Sequence, residues 1–210
     1  MKKNICYIVA AGEGRALDFM PEPCDFVIAA DGGLARLKDS GIIPNLMIGD
    51  MDSAGVTAEN IKSVKLSAEK DETDTLAAVK YGKIMGYKDF RVYCGTGGRL
   101  SHTLANIAVL KSLADCGLSG YIYGKNETLT VIRDGELVLD KTEGYISVFC
   151  LGGIAKGVTL EGLKYPLRDY AMTDAYPIGV SNEFVEGYAK ISVKSGCLLI
   201  IYGEKESTIN

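Results

Sequence analysis

The sequence predicts an α/β fold class in two parts, an N-terminal parallel-sheet α/β domain followed by a C-terminal antiparallel β domain. Two observations carry this. Up to about Gly124, short apolar runs alternate with helical patterns, the arrangement of a parallel sheet with crossover helices. Beyond that point the chain breaks into short β-like runs separated by Gly, Asp-Gly and Pro, with no long helical period. The boundary is therefore expected near residue 124, giving domains 1–124 and 125–210.

In the first part, Ile5–Ala10, Phe26–Ala30, Leu46–Ile48, Val64–Leu66, Phe90–Cys94 and Tyr121–Tyr123 read as strands. Helices are expected over about Asp74–Met85 and Thr103–Asp115, the second on an apolar stripe of Leu104, Ile107, Ala108, Leu110 and Leu113. Gly86 and Gly117 suit the C-terminal stops. In the second part, Thr128–Ile132 and Glu136–Leu139 flank Arg133-Asp134-Gly135, which predicts a hairpin because Asp-Gly tolerates positive φ. Further strands are expected at Ile146–Leu151, Gly157–Leu160, Ala189–Val193 and Leu198–Tyr202, and Lys164–Gly179, with two prolines and few apolar repeats, reads as a long loop.

Composition narrows the function class. Hydrophobic residues at 47% and charged residues at 24% are ordinary for a packed protein. A formal net charge of -4 with no block of Lys and Arg removes the usual driving force for binding nucleic acid, so a small-molecule substrate is expected. No run approaches the ~20 apolar residues of a membrane helix, and the short apolar stretch after Met1-Lys2-Lys3 is followed at once by Glu13 and Arg15, unlike a signal peptide. The six cysteines form no CxxC pair, which predicts reduced, mostly buried thiols in a cytoplasmic protein.

The chemistry is expected where strands end. Asp50-Met51-Asp52 follows a strand; in extended backbone both carboxylates face one side, fit for a hard cation such as Mg²⁺, although an Asp-rich turn looks the same. Lys70-Asp71-Glu72-Thr73-Asp74 precedes a helix and serves either as an N-cap or as an anion site. Gly95-Thr96-Gly97-Gly98-Arg99 joins a strand to a helix, where backbone amides and a guanidinium can hold phosphate, though it lacks the Gly-Lys-Ser/Thr ending of a Walker loop. His102, the only histidine, follows it. Asp31-Gly32-Gly33 opens a helix after a strand; Gly12-Glu13-Gly14 lacks the third glycine of a dinucleotide fingerprint, Leu17 standing in its place.

Taken together, Asp31-Gly32-Gly33, the segment Pro44–Ser53, Lys70–Asp74, Gly97-Gly98-Arg99 with Leu104-Ala105-Asn106, Gly162–Leu167 and Gly179–Glu183 resemble the thiamine pyrophosphokinase family over nearly the whole chain. That resemblance implies transfer of a pyrophosphoryl group from ATP, with Mg²⁺, to the hydroxyl of thiamine, giving thiamine diphosphate and AMP. It implies Asp50, Asp52 and Asp74 as catalytic, metal-holding carboxylates. It places Asp31, Gly32, Lys70, Thr73, Gly97, Gly98, Arg99, Ser101, His102 and Asn106 around the nucleotide, and Tyr165, Ser181 and Asn182 around thiamine. It also implies an N-terminal α/β domain, a C-terminal antiparallel β-sandwich domain, and a homodimer whose thiamine site is built from the domains of two subunits. The family pattern Gly-Gly-Arg-x-Asp is here Gly97-Gly98-Arg99-Leu100-Ser101, so one expected carboxylate is a serine. That departure raises an alternative, a catalytically impaired thiamine- or nucleotide-binding protein on the same fold. A nucleotide-sugar transferase using the DxD would leave Ser181-Asn182 unexplained.

Overall fold

Strand β1 (Ile5–Val9) is an unbroken apolar run with four buried residues, as expected for a parallel strand covered on both faces. The structure is a computed structural model describing residues 4–49, 62–65 and 72–203. After β1 come β2 (Phe26–Ala30), α1 (Gly33–Asp39), β3 (Leu46–Gly49), β4 (Lys62–Lys65), α2 (Asp74–Ile84), β5 (Asp89–Tyr93), α3 (Leu100–Asp115) and β6 (Ser119–Tyr123). The strands lie in the order β6-β5-β1-β2-β3-β4, all parallel. The chain moves outward from β1 to β4 and then returns to the other side of β1. This reversal leaves a crevice at the carboxyl ends of β1 and β5, where open parallel sheets bind ligands.

The two faces of this sheet are packed differently. Tyr7, Val9, Val27 and Ala29 meet Leu34 and Leu37 of α1 on one face. Against the other, α2 approaches so closely that a β-carbon on Gly82 would lie 2.7 Å from the Phe90 ring and 2.8 Å from Cys6 Sγ. In α3 the buried residues are Asn106, Val109, Leu110, Leu113 and Ala114, whereas Leu104 is 57% exposed. Of the expected apolar stripe, Leu110 and Leu113 are buried, whereas Leu104 and Ala108 face outward and polar Asn106 turns inward to a backbone partner described below. Gly86 and Gly117 end their helices with φ of 86° and 69°, the left-handed stops that glycine provides most easily.

The following strands are β7 (Glu127–Arg133), β8 (Glu136–Asp140), β9 (Tyr145–Cys150), β10 (Ile154–Glu161), β11 (Leu167–Thr173), β12 (Gly179–Glu183), β13 (Tyr188–Ser192) and β14 (Cys197–Gly203). They run antiparallel in two layers, β12-β9-β14-β7 and β11-β10-β13-β8. Ile146, Val148, Leu198 and Ile200 of the first meet Val158, Leu160, Met172, Ala189 and Ile191 of the second. Each of the Val, Leu, Ile and Met side chains among these contributes roughly 1.5–3 kcal/mol, which makes this layer interface the main stabilising term of the sandwich. The chain thus divides into two compact units, one built on β1–β6 and one on β7–β14, with Leu110–Gly117 grouped with the second.

Two expectations fail here. The Asp134-Gly135 turn does not close a hairpin: β7 pairs with β14, whereas β8 pairs with β13 in the other sheet. The turn carries the chain between layers beside a second such corner, with Asp134 N–H donating to the Gly196 carbonyl at 3.1 Å and Gly196 N–H donating to Asp134 Oδ1 at 2.7 Å. The Asp-Gly signal found the positive φ, 46° at Asp134, but local sequence does not specify the strand partner. The long loop at Lys164–Gly179 contains β11, an edge strand whose residues are mostly exposed, so it lacks the alternation that marks a half-buried strand. Among the described residues, no helix is long and apolar enough to cross a membrane.

Candidate functional site

A cleft of about 690 Å³ opens at the carboxyl ends of the parallel strands. Its wall includes Asp31, Thr73, Asp74, Gly97, Gly98, Arg99, His102 and Asn106 of the residues expected around a nucleotide. The volume falls within the ~300–1,000 Å³ usual for small-molecule sites. Asp50, Asp52 and Lys70 lie outside the described residues.

The acidic edge is assembled from two strand ends and one helix start. Asp31 follows β2 with φ of 53°, and its N–H donates to the Ile48 carbonyl at 2.9 Å, which ties the ends of β2 and β3 together. A β-carbon on Gly49 would sit 3.4 Å from Asp31 Cα and 3.8 Å from Asp74 Oδ2. The last residue of β3, directly before Asp50, is therefore neighbour to both carboxylate-bearing residues. Thr73 accepts a hydrogen bond from Leu76 N–H at 3.2 Å and caps α2, so its hydroxyl sets where Asp74 begins the helix. Glu72, also on the wall, forms an ion pair with Lys80. Among the described residues no three His, Cys, Asp or Glu side chains form a metal-sized group. The hard oxygen donors at Asp31 and Asp74 are nevertheless the type that suits Mg²⁺.

The glycine-rich edge is built by close backbone approach. Gly97 and Gly98 have φ of 78° and 62°. A β-carbon on Gly12 would lie 2.5 Å from the carbonyl oxygens of both Cys94 and Thr96, and one on Gly14 would lie 2.5 Å from Cys94 Sγ. The Gly12-Glu13-Gly14 segment is thus a packing element that lets the loop after β1 close on the turn after β5. Glu13 N–H donates to the Thr96 carbonyl at 2.9 Å. Asn106, 7% exposed, donates from Nδ2 to the Gly95 carbonyl at 2.7 Å, pinning the same turn from α3. Asn106 therefore lines the cleft and also shapes it.

Sequence reasoning missed Arg36 altogether. It projects from α1, and its Nη2 donates to the Gly12 carbonyl at 2.8 Å. Helical spacing alone gives no signal for this contact, since the partner is a backbone oxygen 24 residues away. Gly32 caps α1 beside the cleft, and Ser101 is exposed in the first turn of α3; neither lines the wall. Cys94 does line it, but burial raises its thiol pKa while the nearby Arg36 charge opposes the rise, so the side chain is held as a neutral thiol at neutral pH. A covalent thiolate mechanism is disfavoured.

In the β-sandwich unit, Tyr165, Ser181 and Asn182 come together on one corner. Asn182 is 3% exposed; its Oδ1 accepts from Tyr165 N–H at 2.9 Å and from Glu183 N–H at 3.0 Å, and its Nδ2 donates to the Tyr165 carbonyl at 2.8 Å. Tyr165 itself is 60% exposed, with Lys164 Nζ 5.6 Å from its ring centroid. Ser181 has φ of 56°, and its N–H donates to Ser147 Oγ at 3.0 Å. This corner presents an aromatic face and a hydroxyl beside a lysine–glutamate pair of 2.8 Å, Lys164 with Glu183.

Comparison with known proteins gives a consistent result. Residues 19–119 match the family model for the thiamin pyrophosphokinase catalytic domain, and residues 134–198 match that for the thiamin pyrophosphokinase vitamin B1 binding domain. The thiamine pyrophosphokinase of Bacillus subtilis (strain 168) is 29% identical over 184 residues, covering 83% of this chain and 85% of that protein. A crystal structure of Bacillus subtilis thiamine pyrophosphokinase superimposes with a TM-score of 0.87 at 25% identity, covering 97% of this chain and 100% of the other. A crystal structure of thiamin pyrophosphokinase from Geobacillus thermodenitrificans gives 0.84 at 26% identity, covering 98% and 100%.

Proposed function

Because the chain belongs to the thiamine pyrophosphokinase family, we propose that it moves a pyrophosphoryl group from ATP to the hydroxyl of thiamine, yielding thiamine diphosphate and AMP. The supporting observation is that one cleft carries a carboxylate edge, Asp31 and Asp74, and a phosphate-type edge, Gly97, Gly98 and Arg99. In this reaction the thiamine oxygen bonds to the β-phosphorus of ATP. The bond from that phosphorus to the oxygen bridging the α-phosphate breaks, and AMP leaves with the bridging oxygen. Such transfers depend on positioning and charge neutralisation more than on a protein nucleophile.

Asp74, with Asp50 and Asp52, would hold Mg²⁺, which when bound neutralises phosphate charge. Arg99 can meet phosphate oxygens with two parallel N–H donors, and the positive-φ amides of Gly97 and Gly98 offer further donors without intruding side chains. An aspartate near the thiamine hydroxyl accepts its proton. Residues 1–124 would carry the nucleotide and metal chemistry, and residues 125–210 the thiamine corner around Tyr165, Ser181 and Asn182. The working form is a cytoplasmic homodimer, consistent with six free cysteines.

Ser101, which raised the reading of an impaired binding protein, lies off the cleft wall while Asp74 and Arg99 remain on it. That arrangement favours an enzyme. The test is AMP formation from ATP and Mg²⁺ with and without thiamine. Thiamine-dependent AMP is expected; ADP as the product, or thiamine binding without turnover, overturns the reading.

A further inference from the structure

The peptide group joining Gly12 to Glu13 is held at both ends. Its carbonyl oxygen accepts from Arg36 Nη2 at 2.8 Å, and its N–H donates to the Thr96 carbonyl at 2.9 Å. The Thr96 carbonyl belongs in turn to the peptide whose N–H is that of Gly97, on the cleft wall. Amides joined in this way polarise one another, and a cationic donor at one end strengthens the donor at the other. Among the described residues, no acceptor is paired with the Gly97 amide. The row cannot slide: a β-carbon on Gly97 would lie 2.6 Å from Glu13 Cβ, and Asn106 pins Gly95 from the far side.

We propose that Arg36 is a positioning residue for the nucleotide phosphates: it fixes the Gly12–Glu13 peptide and, through Thr96, orients and strengthens the Gly97 N–H as a phosphate donor. The inference rests on the reading of this cleft as the ATP site. Arg36 does not touch the nucleotide. Its charge acts through two peptide planes, which explains why a guanidinium sits on α1 facing a backbone carbonyl and not the cleft.

The test uses the full chain and α,β-methylene-ATP with Mg²⁺ as the probe, because that analogue resists cleavage at the reacting bond. In calorimetric titrations Arg36→Met is expected to weaken analogue binding about tenfold, and Arg36→Lys, which keeps a cationic N–H donor on a side chain one bond shorter, by less. In steady-state assays KM for ATP rises while KM for thiamine stays within twofold, a split that general loosening of the fold would not give. Nitrogen-15 NMR of the unaltered chain supplies a readout independent of any variant: the Gly97 amide should shift and exchange more slowly when the analogue is bound. Unchanged affinity in a folded Arg36→Met variant, or a Gly97 amide indifferent to the analogue, overturns the role of Arg36 alone. No binding by the unaltered chain overturns the cleft assignment and this proposal with it.

Discussion

Replacing Asn182 by alanine tests whether that side chain is a thiamine contact or a clip that shapes the corner. The structure gives it three hydrogen bonds, two accepted and one donated, all to backbone groups of Tyr165 and Glu183, in a site 3% exposed. Alanine leaves two N–H groups and one carbonyl without partners, at roughly 1 kcal/mol each and about 3 kcal/mol in all. For a chain of this length that lowers the melting temperature by roughly 6–12 °C. Tyr165 loses its anchor, so KM for thiamine should rise about tenfold while KM for ATP is unmoved. Calorimetric melting and thiamine-dependent AMP release measure both effects. Tyr165→Phe is the control, since it keeps the backbone clip and should leave the melting temperature within about 2 °C. A melting temperature unchanged by Asn182→Ala, accompanied by a raised thiamine KM, would refute the clip and return Asn182 to direct contact.

Asp74→Asn should lower turnover by roughly two orders of magnitude while α2 stays folded, because Thr73 still caps the helix; parallel melting and rate measurements separate the two. Thr73→Ala removes the hydroxyl that accepts from Leu76 N–H and should cost about 1 kcal/mol, seen as a melting shift of roughly 2–4 °C, with KM for ATP rising as Asp74 loosens. Ser101→Asp places a carboxylate in the exposed first turn of α3, so a gain of about 0.3–1 kcal/mol in stability is expected with less than a threefold change in turnover; a tenfold gain in Mg²⁺-ATP turnover would show that Ser101 acts in the site after all.

Much of the fold was legible because its signals are local. The apolar runs at Ile5–Val9 and Phe26–Ala30 are buried on both faces, and the Gly86 and Gly117 stops follow from φ that other residues adopt at a cost. What escaped depends on partners distant in sequence. Asp134-Gly135 announces a turn equally well whether the chain returns along the same sheet or crosses to another; the pairing of Arg133 with Cys197 and of Glu136 with Ser192 decides it. The strand Leu167–Thr173 is an exposed edge, where burial imposes no alternation. On α3, Leu110 and Leu113 of the expected stripe are buried but Leu104 is not, and polar Asn106 occupies an inward position that an apolar count skips.

The same distinction runs through the site. Its acids and glycines are found in the sequence because each follows a strand or opens a helix, but their neighbours are found only in three dimensions. Asp74 lies near Gly49 because α2 starts where β3 ends, and Thr73 fixes that start. The glycine turn is held from two sides by side chains that meet backbone, Asn106 at Gly95 and Arg36 at Gly12. A residue that binds a carbonyl leaves no constraint on the identity of its partner, so no pattern of paired residue types betrays it. For this fold, then, the acids and glycines that line the cleft are the readable part of the sequence, and the strand reversal at β1, which brings the loops after β1, β2 and β5 to one crevice, is the part that only the tertiary structure supplies.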